Sequence, residues 1–355
     1  MESRPFNCSD STGGGLLRKA VVFHADRTMG MEVLPIPTID SDEVLIRSKY
    51  CGICGTDLHA TELGGICAYK PGVVIGHEFA GLVADVGSKV QAVRRGDRVT
   101  VHPNRNVCGR CYSCRAGQYH LCPQVWETCV GIFAPGGLAE YVKVKEGMVF
   151  KLPSEVKLEH GALVEPLATS LHAVRNADFP IGASALVFGA GPIGLLTVQC
   201  LVNAGARKIY VVEYSPLRRE LAYKLGATEA LDPVKTDLEE YFDSRLPLLD
   251  YVFECSGDPT AVDTAVHLVK RRGGVVVVGI SPQPLTIDSL ALISKEVSIR
   301  GSTDYNEEFE LSIELLARGK ITLDPLITAI LPIEQFNKAF GMLQRKEAVK
   351  VLLEI

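Results

Sequence analysis

Hydrophobic and polar positions divide the chain into three regions with different predicted structure. From residue 19 to 150, short runs such as EVLIRS and DRVTV alternate apolar with polar residues, as half-buried strands do. From residue 167 to 300, the largely apolar runs ASALVFG, KIYVVE and GGVVVVGI are separated by helical patterns such as SPLRRELAYKLGA. The first region therefore predicts a β-rich, barrel-like body, and the second predicts a parallel sheet covered on both faces.

The final region, residues 301–355, returns to a mixed pattern. Two segments, EEFELSIELLARG and IEQFNKAFGMLQRK, have helical periodicity, and AVKVLLEI reads as a strand. A chain of 355 residues is too long for one comfortable core, so about two domains are expected. Residues 1–17, largely polar and rich in Gly and Ser, are predicted to be a flexible arm.

Charge and cysteine content narrow the class of protein. The net charge is -5 with both signs mixed and no Lys/Arg-rich run, which argues against nucleic acid as a partner. The longest apolar stretch, at 275–280, is far too short to span a membrane, and no export signal precedes residue 23. We therefore expect a cytoplasmic protein, whose 11 cysteines bind metal or are buried and do not form disulfides.

A glycine motif in the second region predicts a dinucleotide site. ALVFGAGPIGLL reads strand, G-x-G-x-x-G, helix, with glycines at Gly189, Gly191 and Gly194. The first allows a sharp turn, the second lets backbone approach a pyrophosphate, and the third lets helix and strand pack closely. Pro192 suits the first helical turn, whose N-terminus faces the phosphates.

An acidic residue about twenty positions later supports this interpretation and bears on the choice of cofactor. Glu213 closes the strand KIYVVE, where a carboxylate would accept both ribose hydroxyls and repel a 2′-phosphate. That arrangement favours NAD. Arg218 follows closely and could instead hold the phosphate of NADP, so the second cofactor stays an alternative, as does a purely structural turn.

Four cysteines in one short loop predict a closed zinc site. CGRCYSCRAGQYHLC supplies Cys108, Cys111, Cys114 and Cys122. Four thiolates complete a tetrahedral zinc with no open position, so this site should stabilise the loop and perform no chemistry.

A second metal constellation is dispersed along the chain. CGICGTDLH contains a C-x-x-C that could be a redox dithiol, half of a zinc knuckle, or one ligand beside an ordinary thiol. Cys54 from this stretch, His77 and Glu78 from GHEFAG, and Glu165 from LVEPL would leave a position open for water or substrate. An open position is typical of catalytic zinc.

These motifs together resemble the zinc-dependent medium-chain alcohol dehydrogenases. CGICGTDLH, GHEFAGLVADVG, the four-cysteine loop, GALVEPLATSLHA and GAGPIG occur in that family's order. Glu-Pro within the fourth motif is similar to the polyol and butanediol dehydrogenase branch. The resemblance implies an α/β protein: a Rossmann doubly wound sheet at 167–300 inserted in a β-rich GroES-like catalytic domain at 18–166 and 301–355. It also implies a homodimer or homotetramer, commonly formed through the edge of the Rossmann sheet.

The resemblance also assigns roles to individual residues. Cys54 and His77 match catalytic zinc ligands, Glu78 matches a residue that binds zinc directly in some members, and Glu165 matches a position that holds or orients the zinc water. Thr56 and His59 match a proton relay, and Asp57 matches a carboxylate that orients the zinc histidine. The predicted cofactor site further includes Thr169 beside the nicotinamide, Lys350 at the pyrophosphate, Ile193 and Gly279.

The predicted activity is oxidation of a secondary alcohol to a ketone with NAD, or the reverse, with two zinc ions per chain. The alternatives are an NADPH-dependent zinc ketone reductase and a non-catalytic nucleotide-binding protein. Sorbitol-type enzymes carry Arg-Tyr where this chain has Asp304 and Tyr305, and an aromatic residue where it has Ala60. Both differences argue against sorbitol as substrate and leave a small polyol, a vicinal diol, an amino alcohol or a cyclic alcohol.

Overall fold

The computed structural model describes residues 16–61, 69–243 and 248–355. Of the predicted arm, residues 1–15 lie outside the described residues, and the first strand already begins at Leu17. The first part of the chain is rich in strands, which are β1 (Leu17–Phe23), β2 (Met29–Pro35), β3 (Glu43–Gly52), β4 (Glu78–Val86), β5 (Arg98–Val101), β6 (Tyr141–Lys145) and β7 (Val149–Lys151). Its helices are α1 (Gly55–Ala60), α2 (Tyr112–Arg115), α3 (Val125–Thr128), α4 (Leu158–Gly161) and α5 (Val164–Asn176).

The middle of the chain alternates strand and helix, as its apolar runs predict. The strands are β8 (Ser184–Phe188), β9 (Lys208–Val212), β10 (Glu229–Leu231), β11 (Leu249–Glu254), β12 (Val269–Val277) and β13 (Ser298–Gly301). The helices are α6 (Pro192–Asn203), α7 (Pro216–Lys224), α8 (Leu238–Asp243), α9 (Ala261–Leu268) and α10 (Ser289–Lys295). All six strands pair in parallel in the order β10-β9-β8-β11-β12-β13. The predicted doubly wound parallel sheet is confirmed.

The last region returns to the first sheet. Its elements are α11 (Glu308–Ala317), β14 (Ile327–Pro332), α12 (Phe336–Gln344) and β15 (Lys350–Glu354). The larger β sheet has the order β14-β15-β3-β4-β5-β7, with β6 also paired to β3, while β1 and β2 form a separate hairpin. β15 lies antiparallel to β3, with Leu352 opposite Gly52 and Leu353 opposite Cys51. This pairing carries the carboxy-terminal residues to the end of β3. The division at residues 166 and 300 stays a prediction.

Hydrophobic packing joins the two sheets. One core cluster runs from Ala80 and Leu163 through α5 and α6 to Leu352. A second fills the β-rich part and includes Cys51, which is fully buried and is a free thiol. None of the helices in the described ranges has the length and apolar character needed to cross a bilayer.

Truncation of Leu352 tests whether β15 holds the sheet together. Leu352 is 0% exposed, whereas its strand neighbour Ile330 is 42% exposed. We expect Leu352→Ala to lower the free energy of unfolding by about 2–5 kcal/mol, because it removes core contacts and leaves a cavity. Ile330→Ala is the matched control and should have a much smaller effect in the same denaturant titration. Equal effects of the two variants would contradict this view of the core.

Candidate active site

The pairing of β3 and β4 brings together residues that are distant in sequence. The two strands are antiparallel, and the last residue of β3, Gly52, lies opposite the first residue of β4, Glu78. Cys54 follows β3 at the start of α1, and His77 directly precedes β4. As a result, Cys54 Sγ, a ring nitrogen of His77 and a carboxylate oxygen of Glu78 lie within 4.8 Å of one another.

Asp57 links the start of α1 to His77. Its side chain is fully buried and accepts hydrogen bonds from the backbone N–H of Cys54 and from the hydroxyl of Tyr69, each at 2.8 Å. Its Oδ1 lies 3.9 Å from Nδ1 of His77, and that nitrogen has no hydrogen-bond partner within the described residues. A carboxylate on the Nδ1 side leaves the other ring nitrogen available to a metal.

Glu78 forms a buried ion pair with Lys350. Lys350 Nζ donates to both carboxylate oxygens, at 2.7 and 2.8 Å, and to the carbonyl oxygen of Ile53 at 3.0 Å. Only 1% of Glu78 and 3% of Lys350 is exposed. A Cβ on Gly52 would come within 2.2 Å of Glu78 Oε2, so a glycine is required here. Lys350 was predicted to reach the cofactor pyrophosphate. In the structure its ammonium group instead binds Glu78.

Glu165 and Thr169 face the same site from α5. Glu165 lies in the first turn of this helix, is buried, and falls outside the group of three close ligand atoms. Burial raises the pKa of Glu165 well above its usual range, because the charged form loses its hydration. Thr169 lies one turn later and donates to the carbonyl oxygen of Glu165 at 3.4 Å.

These side chains line a cavity of about 820 Å³ between the two sheets. Thr56 and His59 lie three residues apart in α1, so one face of this short helix presents both to the cavity. Cys54 Sγ donates to Thr56 Oγ1 at 3.5 Å. The predicted catalytic residues are therefore all brought to one cavity, namely Cys54, Thr56, His59, His77, Glu78 and Glu165.

The four-cysteine loop forms a separate cluster. The sulfur atoms of Cys108, Cys111, Cys114 and Cys122 all lie within 4.8 Å of one another. Cys108 Sγ is 3.6 Å from Cys122 Sγ and 4.0 Å from Cys114 Sγ. Tetrahedral zinc with Zn–S bonds of about 2.3 Å requires S···S separations of ~3.8 Å. Backbone hydrogen bonds from Arg110 and from Cys111 lower the pKa of Cys108 to about 6. The cluster therefore fits a closed zinc site.

The cluster of Cys54, His77 and Glu78 also fits zinc, but it leaves a coordination position open. One thiol, one imidazole and one carboxylate are donors that zinc accepts. Because the three face a cavity and no fourth protein ligand completes the set among the described residues, a position is left for substrate. The two clusters differ as a structural and a catalytic zinc site differ.

The glycine motif opens onto a second cavity, of about 940 Å³, beside the parallel sheet. Gly189 has a φ of 86°, and a Cβ on Gly194 would meet the carbonyl oxygen of Gly189 at 1.9 Å. Both therefore have to be glycine for the turn to form. A Cβ on Gly191 would meet nothing within 4 Å, and its φ of -70° suits any residue. Gly191 thus leaves open space at the helix N-terminus, as a bound pyrophosphate requires.

Glu213 and Arg218 lie in this second cavity. Glu213 accepts from the backbone N–H of Ala190 and of Ser215, both at 2.8 Å, which fixes its carboxylate against the glycine turn. Arg218 donates to the carbonyl oxygen of Ala348 at 3.0 Å. The two cavities share residues at their boundary, including Gly191, and Pro192, Ile193 and Gly279 line the first cavity.

Two residues of the site, Glu254 and Asn104, were missed from the sequence, and a third, Asp304, was noted only as a difference in the substrate pocket. Glu254, at the end of β11, accepts from the N–H groups of Ser256 and Gly257 and so shapes the loop between the cavities. Asn104 and Asp304 line the cavity that contains Cys54. Only Asp304 had a signal, its difference from sorbitol-type enzymes. Glu254 lies at the end of an apolar strand, as Glu213 does. That position alone does not indicate that Glu254 shapes the following loop.

Comparison with known proteins identifies the family. The family described as "Alcohol dehydrogenase GroES-like domain" matches residues 40–154, and the one described as "Zinc-binding dehydrogenase" matches residues 192–318. The chain belongs to the zinc-dependent medium-chain alcohol dehydrogenases. It is therefore an oxidoreductase with a GroES-like part and a Rossmann part, and it requires zinc and a nicotinamide dinucleotide, as predicted.

Relatives place the chain near polyol-converting members of this family. It is 35% identical to the "Probable D-xylulose reductase A" of Aspergillus clavatus, over 90% of this chain and 91% of that protein. It is 35% identical to the sorbitol dehydrogenase of Bacillus subtilis, over 94% of this chain and 96% of that protein. A zinc-binding dehydrogenase of Sinorhizobium meliloti, solved bound to NADP, has a TM-score of 0.90 at 33% identity and covers 96% of this chain and 100% of its own.

Two glycine variants separate folding of the motif from cofactor binding. Gly191→Ala should fold with unchanged thermal stability, because its Cβ enters open space, yet should weaken NAD binding by more than about tenfold. Gly194→Ala should lower thermal stability, because its Cβ collides with backbone. Fluorescence titration with NADH and thermal melting measure both. Unchanged NADH affinity in a folded Gly191→Ala protein would contradict the assignment.

Proposed function

We propose that this enzyme oxidises a secondary alcohol bearing further polar groups, such as a small polyol or diol, to the ketone with NAD. The proposal rests on the open cluster of Cys54, His77 and Glu78. This cluster lines the 820 Å³ cavity, here called the alcohol cavity, which shares boundary residues with the 940 Å³ cavity at the glycine motif, here called the nucleotide cleft. The relatives named xylulose reductase and sorbitol dehydrogenase support the substrate class.

The two bound groups and the protein contribute different parts of the reaction. When bound, zinc acts as a Lewis acid that lowers the pKa of an alcohol, and the nicotinamide accepts a hydride. Cys54, His77 and Glu78 would hold the metal. Lys350 compensates the charge of Glu78, and Asp57 orients His77 from behind. Glu165 lines the same cavity and would hold or orient a water there.

Thr56 and His59 remove the alcohol proton. The hydroxyl of Thr56 lies 3.5 Å from Cys54 Sγ, beside the position where the alcohol oxygen binds. His59 lies one turn later in α1 and lines the same cavity, so it receives the proton from Thr56 and passes it to water. Thr169, Ile193 and Gly279 line the same cavity and would lie beside the nicotinamide.

The nucleotide cleft supports NAD over NADP. Backbone N–H groups hold Glu213 where it accepts the ribose hydroxyls and repels a 2′-phosphate. Arg218 lies in the same cleft, and one solved relative is bound to NADP, so an NADPH-dependent ketone reductase is the second candidate. Parallel titrations with NADH and NADPH distinguish the two, and tighter binding of NADPH would favour the reductase.

The cellular compartment and the oligomeric state are also part of the proposal. All nine described cysteines are free, which supports a reducing compartment such as the cytoplasm.

We also propose a homodimer or homotetramer. β13 is an edge strand of the parallel sheet with largely exposed side chains. α10, which precedes β13 in the chain and packs against α9 and β12, exposes Leu290 and Ile293, at 73% and 72%. An unpaired edge next to exposed apolar residues favours pairing with a second copy.

Replacing one cysteine of each cluster tests the two zinc assignments. Cys54→Ser should reduce the zinc content from two to one per chain and abolish turnover in a folded protein, because the open site loses its thiolate. Cys111→Ser should also lose one zinc but should mainly lower thermal stability. Elemental analysis, melting curves and NAD reduction provide the three measurements. Full activity of Cys54→Ser would contradict the catalytic assignment.

A surface variant tests the assembly. Ile293→Glu should convert the oligomer to a monomer, because a charge replaces an exposed apolar side chain beside the sheet edge. Ile181→Glu is the control, since Ile181 is equally apolar and 89% exposed but precedes β8. Light scattering after size exclusion gives the mass. A wild-type monomer, or an unchanged mass for Ile293→Glu, would contradict the proposed interface.

A further inference from the structure

Asp304 is an acidic residue of the alcohol cavity that the mechanism above does not use. It lies between β13 and α11, is partly buried, and lines the cavity together with Cys54, His77 and Glu165. Its backbone has a φ of 49°, a conformation that Asp and Asn adopt more readily than other side chains. The position is therefore held by the loop and not by a regular element.

Asp304 differs in its contacts from the other acidic side chains of the site. It makes no hydrogen bond and no ion pair with any described residue, whereas Glu78 is paired with Lys350 and Asp57 accepts two hydrogen bonds. Burial raises the pKa of Asp304, and the charge of Asp304 in turn raises the pKa of Glu165, so the two carboxyls interact. A partly buried carboxylate that has no hydrogen-bond or ion-pair partner in the described residues is available to a ligand.

The residues that line the cavity provide no lysine or arginine that offsets the negative charge of Asp304. Lys350 is the only lysine or arginine among its described lining residues, and it is occupied by Glu78. A zinc ion would offset the thiolate of Cys54 and the carboxylate of Glu165. Two imidazoles, of His77 and His172, act on the carboxylate of Asp304, but His77 must be neutral to bind zinc and His172 pairs with Glu308 at 3.1 Å. A cationic group of the substrate is therefore the natural counterpart of Asp304.

We propose that Asp304 is a specificity-determining residue that selects alcohols carrying a cationic amino group. The substrate class is then an amino alcohol, whose hydroxyl binds at Cys54 and His77 and whose ammonium binds Asp304. Because Asp304 does not belong to the group of close metal ligands, the amine and the reacting hydroxyl occupy different carbons. This inference rests on the proposed oxidation of secondary alcohols and makes its substrate more specific.

Paired substrates that differ in one group test the proposal. Isopropanolamine and propylene glycol share a carbon skeleton and a secondary carbinol, and they differ only in the amine or hydroxyl beside it. A longer series moves the amine further from the carbinol. The zinc- and NAD-loaded enzyme should oxidise at least one amino alcohol with a kcat/KM about 10- to 100-fold above its diol partner, as one charge-assisted contact provides.

Asp304→Asn identifies the source of this preference. Asn keeps the size of the side chain and tolerates the same backbone conformation, so the variant should fold. It should lose the amine preference mainly through a higher KM, with the diol rate within about threefold of wild type. Asp178→Asn is the matched control, because Asp178 has a φ of 51° and lies at the surface in an exposed pair with Arg300.

The possible outcomes distinguish a wrong role for Asp304 from a wrong proposed function. Oxidation of diols with no amine preference, or a preference that survives Asp304→Asn, would overturn the role of Asp304 and leave the alcohol dehydrogenase assignment intact. An equal loss for amine and diol in Asp304→Asn would show a general polar contact and would also overturn selection of a cation. Failure of the loaded enzyme to oxidise any alcohol would overturn the proposed function itself, and this inference with it.

Discussion

Burial of several negative groups around one point is the constraint on which the active site depends. Asp57, Glu78 and Glu165 are buried around the partly buried Cys54, and an unpaired charge in such a place costs several kcal/mol. Lys350 offsets one charge, and it does so only because β15 pairs with β3 and delivers it there. The architecture of the larger sheet is thus tied to the electrostatics of the site, and a bound cation completes the balance.

The same reasoning separates the two metal sites. The four-cysteine cluster satisfies itself within one loop and needs nothing from the rest of the chain. The cluster at Cys54 draws ligands from the ends of β3 and β4 and faces a cavity that continues into the nucleotide cleft. A closed set of ligands stabilises a fold, whereas an open set beside a cofactor cleft allows a substrate to react.

Local pattern predicted the parts of the fold that depend on local chemistry. Apolar runs indicated β8, β9 and β12, and the glycine motif located its turn because Gly189 and Gly194 each have a steric reason to be glycine. Contacts across long separations were not readable. Lys350 and Glu78 lie 272 residues apart, so the sequence assigned Lys350 to the cofactor and gave no sign of the ion pair. The unpaired state of Asp304 likewise emerges only from its surroundings. Short edge strands such as β13 lack the length to produce a pattern.

The central claim is that two zinc ions bind, with different ligands. Anomalous diffraction at the zinc edge, from crystals of the purified protein, tests this claim most directly. We expect two peaks per chain, one surrounded by the sulfurs of Cys108, Cys111, Cys114 and Cys122, the other contacting Cys54 and His77 beside the alcohol cavity. A protein with full alcohol dehydrogenase activity that showed no peak at Cys54 and His77 would contradict it.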